Sequence, residues 1–174
     1  MQKISEIKMS NIEMKKNAEF LIENLPGKDL PGTAKLSVRY RNLVNFANCF
    51  GITDPKYVGP EEEGVIACHA YANAYTIKSL YTLAPGVKFV QNGEERMLIK
   101  NPRMILHAGN KYNWEGCVDV KPRDKLTATA KFGKVWLVEA NMMLFVELIT
   151  KIKNQNNEPV CNVVVTAGIR KGGY

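Results

Sequence analysis

Between Cys68 and Leu83 the chain reads as a helix with a single charged residue, Lys78, and with Ala, Tyr and Ile on nearly every side. A helix that is apolar or small all round is normally buried. The longest charge-free stretch runs only from Gly64 to Ile77, short of the roughly 20 residues needed to span a bilayer. Protein, not lipid, must therefore surround this helix. In a chain of 174 residues the remaining sequence has to wrap it.

The last third of the chain has the pattern to do so. Leu126, Ala128, Ala130 and Phe132 alternate with Thr127, Thr129 and Lys131, a period-two strand. Leu144, Val146, Leu148 and Ile152 fall on one face of the apolar run Met142 to Ile152. Cys161, Val163, Val165, Ala167 and Ile169 alternate again, after a polar turn at Gln155 to Glu158. Three long consecutive strands with short turns predict an antiparallel meander, with a fourth strand over Arg103 to Trp114. The fold class that follows is α+β, a curved antiparallel sheet around one central helix.

Upstream, Ser10 and Glu13 have the spacing of a capping box. Met14, Ala18, Leu21, Ile22 and Leu25 recur at helical intervals before Pro26-Gly27. Lys35 to Tyr40 reads as a short strand with Leu36, Val38 and Tyr40 on one face. Leu43, Phe46, Ala47 and Phe50 then make a short helix stopped by Gly51. The expectation is one domain over 1–174, in which 1–30 is an N-terminal helical extension; domains of about 100–200 residues are typical.

Lys and Arg number 24 against 17 Asp and Glu, a formal charge of +7. The excess is dispersed, and no basic run interleaves with aromatics, so neither a nucleic-acid nor a membrane surface is expected. Long-range attraction of an anionic carrier remains open to it. Cys49, Cys68, Cys117 and Cys161 lie far apart, without the ligand spacing of a zinc site. No secretory signal is legible at the N-terminus, and the expectation is a cytoplasmic protein with reduced thiols. Phosphate-cradling glycine loops are absent, Pro85-Gly86 being a lone turn. No metal or cofactor is expected.

The order helix, strand, short helix ending in glycine, D-P-x-Y loop, buried helix and long strands resembles a hot-dog fold. It is similar to the MaoC-like dehydratases, in particular their N-terminal, fatty-acid-synthase-like subgroup. The matching stretches are Phe46 to Tyr57 (FANCFGITDPKY), Leu106-His107-Ala108-Gly109, and Val120 to Ala128 (VKPRDKLTA). Together they extend the resemblance over about residues 33–170. It implies chemistry on acyl thioesters, the R-specific addition or removal of water across the 2,3 double bond of an acyl-CoA or acyl-carrier-protein chain. Hydration needs a base to deprotonate water and an acid to protonate the α carbon. The family motif G-D-x-N-P-(apolar)-H holds and activates that water through its Asp and His. Backbone N–H groups at the start of the central helix polarise the thioester oxygen.

This sequence departs from the motif at both decisive positions. Gly51 matches the glycine, but Ile52 stands in the Asp place and Tyr57 in the His place. Isoleucine accepts no proton, and tyrosine, with a reference pKa of about 10, is a poor base near neutrality. Asp54 stands where the family has Asn; an Asp before Pro in a loop is most simply turn chemistry. The resemblance implies dimers of hot-dog units, in some of which one half keeps Asp and His while the other shapes the acyl channel. This chain resembles the non-catalytic half. Because it ends at Tyr174, a catalytic hot-dog partner is expected to be a separate chain.

The candidate residues are thus the degenerate pair Ile52 and Tyr57, with no catalytic residue assigned, and Asp54, Tyr57, Cys68 and His69 at the thioester. His69 begins the buried helix near where the family's thioester sits, although a helix-start histidine bonded to backbone is the simpler reading. Adjacent helical residues point about 100° apart, which disfavours a Cys68–His69 nucleophile pair. His107 is read as strand or interface packing. Tyr71, Tyr75 and Tyr81 are read as core and channel lining, and Glu61 to Glu63 as solvated loop. Residues 87–102 are read as a flap or an excursion near the dimer interface, and the basic tail Ile169 to Tyr174 as frayed.

The leading expectation is a subunit of an R-specific enoyl-thioester hydratase or 3-hydroxyacyl-thioester dehydratase without its own acid–base pair. The alternatives are a homodimeric acyl-CoA-binding or regulatory module and, last because no Asp or Glu lies between Cys68 and Leu83, a thioesterase using Asp54 or an acid on the central helix.

Overall fold

A computed structural model describes residues 11–83 and 87–174. Ser10 of the expected capping box, Pro85-Gly86, and the side chains of Lys78 and Tyr81 lie outside the described residues. The helices are α1 (Asn11–Asn24), α2 (Tyr40–Cys49), α3 (Pro55–Val58) and α4 (Ala72–Leu83), the last entered through a 3-10 turn at His69–Tyr71. The strands are β1 (Ala34–Ser37), β2 (Lys88–Gln91), β3 (Glu94–Met97), β4 (Ile105–Asn113), β5 (Lys125–Val138), β6 (Met143–Lys153) and β7 (Pro159–Ile169).

Five strands form one antiparallel sheet in the order β1-β5-β6-β7-β4. Alternation decides which face turns inward: Leu126, Ala128, Ala130 and Phe132 of β5 are buried, as are Leu144, Val146, Leu148 and Ile152 of β6. These inner faces close on α4, which packs against β1, β5, β6 and β7. This is the hot-dog arrangement, and the α+β class holds. Polar side chains shape the tight β6–β7 turn: Asn154 Oδ1 accepts the N–H groups of Asn156 and Glu158, each at 3.0 Å.

Several local expectations change. The strand over 35–40 ends at Ser37; Tyr40 opens α2 instead, and its hydroxyl donates to the Gly59 carbonyl at 2.9 Å. The central helix is not buried all round. Ala70, Asn73 and Ala74 are exposed and Ile77 is half-buried, an i, i+3, i+4, i+7 stripe left open along the helix. The tail is not frayed: Tyr174 is 1% exposed and its hydroxyl donates to the Met142 carbonyl at 3.1 Å. Lys100 N–H donates to the Gly173 carbonyl at 2.9 Å, which ties the tail to the segment after β3. Residues 88–97 form a two-stranded hairpin.

At the other margin of the sheet, β4 pairs among the described residues only with β7, and its register shifts between His107 and Gly109, so Ala108 is bulged out of the ladder. The β5 edge, by contrast, is covered by β1 and by the connection leaving α1. Leu30 N–H donates to the Ala130 carbonyl and Phe132 N–H to the Lys28 carbonyl, both at 2.8 Å. Met14, Ala18, Leu21 and Leu25 of the α1 region join the same core as α4 and the sheet. Among the described residues no helix is long and apolar enough to cross a membrane.

Candidate functional site

The degenerate motif occupies the loop between α2 and α3. Gly51 takes the left-handed conformation (φ 67°) that ends α2, and Ile52 N–H returns to the Ala47 carbonyl at 3.2 Å. Ile52 and Tyr57 are half-buried and pack against the core. Asp54 caps α3, its Oδ1 accepting the Lys56 N–H at 2.9 Å. That carboxylate is exposed and engaged in its own turn. The loop lies beside the segment that leads into α4, because Ile66 N–H donates to the Lys56 carbonyl at 3.0 Å.

A cavity of about 220 Å3 opens at the start of the central helix, and Cys68, His69, Tyr75, Trp114, Cys117 and Asp119 contribute to its lining. Two of the expected substrate-side residues, Cys68 and His69, therefore meet in one place; Ile52, Asp54 and Tyr57 do not line this cavity. Cys68 is buried and His69 exposed. The imidazole is held by stacking on Trp114, centroids 4.6 Å apart and planes 15° apart. Trp114 in turn stacks on Tyr112 at 5.0 Å and 18°. The N–H groups at the start of the 3-10 turn have no acceptor within the helix, as in any helix start.

Trp114, Cys117 and Asp119 were not anticipated as site residues. They follow β4 in sequence and carry no motif. The only signal was their position directly after the L-H-x-G strand.

A polar chain joins β4 to the helix behind the aromatic stack. His107 Nε2 lies 3.0 Å from Asn110 Oδ1, and Asn110 Nδ2 donates to Asn73 Oδ1 at 3.1 Å and to the Tyr112 hydroxyl at 2.8 Å. Tyr112 and Thr76 hydroxyls are 3.2 Å apart. His107 is thus fixed within its own strand, and the open stripe of α4 is bonded to the edge strand through Asn73.

Burial sets the chemistry available here. It pushes the Cys161 thiol up to about 12 and raises the Tyr75 hydroxyl. Cys117 is raised by the same cause. A thiolate, not a thiol, is the nucleophile, so Cys117 and Cys161 are packing groups near neutral pH. Asp119 supplies the one carboxylate and His69 the one imidazole of the cavity lining. The arrangement can hold a small group, between apolar and polar lining, beside the start of a helix.

The family model described as the FAS1-like dehydratase domain region matches residues 24–163. No curated protein matches the sequence. Among solved structures, the MaoC-like dehydratase from Rhodospirillum rubrum aligns with a TM-score of 0.62 at 17% identity, covering 87% of this chain and 97% of that one. The unliganded R-hydratase of Pseudomonas aeruginosa aligns at 0.58 and 16%, covering 86% and 84%. The C-terminally truncated HadBC (3R-hydroxyacyl-ACP dehydratase) complex of Mycobacterium tuberculosis aligns at 0.52 and 13%, covering 80% and 92%. At such identities the structures establish the fold, and the family model, spanning most of the chain, establishes the family. The chain belongs to the FAS1-like dehydratase-region family and has the hot-dog fold of the MaoC-like dehydratases.

Proposed function

We propose that this chain is the non-catalytic subunit of an R-specific enoyl-thioester hydratase or 3-hydroxyacyl-thioester dehydratase. The observation that carries the proposal is the replacement of the motif's Asp and His by Ile52 and Tyr57, on a chain that otherwise belongs to a dehydratase family. Neither side chain can take a proton from water near neutral pH. Asp54 offers no substitute in this reading, since it caps α3.

The thioester end of the acyl chain is assigned to the cavity at the start of α4, against Cys68 and His69. There the first N–H groups of the helix face developing negative charge on the thioester oxygen. The acid–base pair comes from a second hot-dog chain. Support for a partner lies in the surface made by the unpaired edge of β4 and the stripe Ala70, Asn73, Ala74 and Ile77, which Asn110 and Asn73 make continuous. Two structural neighbours, HadBC and ChsH1–ChsH2 of Mycobacterium tuberculosis, are complexes.

The test is an assay of the purified chain, alone and mixed with catalytic hot-dog partners, on a series of trans-2-enoyl-CoA substrates. Hydration only in the mixture supports the proposal. Full hydration by the lone chain overturns it.

A further inference from the structure

Two voids beside the central helix share one wall. Tyr75 lines the cavity of about 220 Å3 at the start of α4. The same residue lines a second space, of about 10 Å3, between α4 and strands β1, β5 and β6, bounded by Ala34, Leu36, Leu126, Ala128 and Ile152. That second space has a simple origin. Ala34 and Ala128 are paired across the β1–β5 ladder, and two methyl groups leave unfilled what a larger pair would occupy. Its lining side chains are almost wholly apolar, with Lys35 at its margin.

Tyr75 is held firmly between the two. It is 6% exposed, and its ring meets Tyr71 edge-on at 6.2 Å. A buried ring braced by a second aromatic ring acts as a wall and not as a door. The first cavity, about 220 Å3, is also smaller than the roughly 300–1,000 Å3 of sites that take drug-sized ligands, so with the wall in place it suits a short group.

We propose that Tyr75 is the partition between the helix-start cavity and the interior beneath β1 and β5, and that it limits the site to short acyl chains. This inference rests on the acyl-thioester reading above. Removing the ring joins the two spaces along the helix. The strands that bound them are locked in the ladder and collapse only in part, as large-to-small core changes generally show. An apolar cavity of that kind stays dry and accepts small hydrocarbons.

The experiment compares the native chain with Tyr75→Phe, which keeps the ring, Tyr75→Ala, which removes it, and Tyr75→Leu in case the alanine variant does not fold. Calorimetric titration with butyryl-, octanoyl- and dodecanoyl-CoA reads chain-length preference, and thermal stabilisation by benzene reads the joined space without any thioester. The native chain and Tyr75→Phe are expected to favour butyryl- over dodecanoyl-CoA by about tenfold or more. Tyr75→Ala or Tyr75→Leu is expected to narrow that preference, with octanoyl-CoA gaining most, and to gain stabilisation by benzene. Unchanged preference in both shortened variants overturns the inference. Benzene stabilising only the shortened variants, with no acyl-CoA binding to any protein, keeps the partition and overturns the thioester reading. Equal binding of all chain lengths by every protein, without a benzene effect, does the reverse.

Discussion

The imidazole of His69 lies flat on the indole of Trp114, 4.6 Å between centroids, at the mouth of the central helix. The two residues come from opposite parts of the fold, one from the turn that opens α4 and the other from the end of β4. Stacked aromatic pairs contribute about 0.5–1.5 kcal/mol beyond the area they bury. A double-mutant cycle on His69→Ala and Trp114→Ala, followed by urea unfolding, is expected to give a coupling energy in that range. A coupling of zero would mean that the cavity rim is not held by this stack.

Asp54→Ala removes a cap and nothing else in this account. Loss of such a cap costs about 0.5–2 kcal/mol, and the lower half of that range is expected because α3 is a single turn with no fully buried residue. Release of free CoA from acyl-CoA, read with a thiol reagent, should be the same for both proteins. A fall in that rate would bring back a hydrolytic role for Asp54.

Tyr174 anchors the end of the chain inside the core. Truncating a large buried aromatic to Ala costs about 3–5 kcal/mol, and Tyr174→Ala is expected near the lower figure, measured by chemical denaturation. Tyr174→Phe loses only the hydrogen bond to the Met142 carbonyl, about 1 kcal/mol. A pair of values near zero would return the tail to solvent.

Alkaline pH should destabilise the fold. Burial raises Cys161 from 9.0 to about 12 and raises Tyr75, Tyr71, Cys117 and Tyr174 as well. The unfolded chain then releases protons at lower pH than the folded one, so the folded state binds more protons and stability falls as pH rises. For Cys161 the contribution is intact below pH 9.0 and is lost as pH climbs through about 12. Unfolding free energies measured between about pH 8 and pH 11 should decline, with a shallower slope for Cys161→Ala. A flat profile would contradict the burial of these groups.

Much of the architecture was legible because it rests on short-range periodicity. Alternation along β5, β6 and β7 marks one buried face whatever lies behind it, and the apolar helix marks what they enclose. The open stripe on α4 was not legible. Ala70, Asn73, Ala74 and Ile77 are small or apolar, and composition alone does not distinguish burial within a chain from an uncovered surface. The cavity was half legible for a related reason. Cys68 and His69 announce themselves at a helix start, whereas Trp114, Cys117 and Asp119 reach the same place only through the long-range pairing of β4 with β7. Tyr174 escaped because a glycine-flanked basic end looks solvated, and only the tertiary bonds from Lys100 and to Met142 draw it inward.

The bulge at Ala108 has a consequence for assembly. An unpaired edge of nine residues would accept almost any extended segment, since backbone groups are the same in every sequence. The bulge divides that edge into two short runs, 105–107 and 109–113, offset from each other by one residue. A straight strand can follow one run but loses register on the other. A break of this kind blunts the indiscriminate edge-to-edge pairing that leads to aggregates.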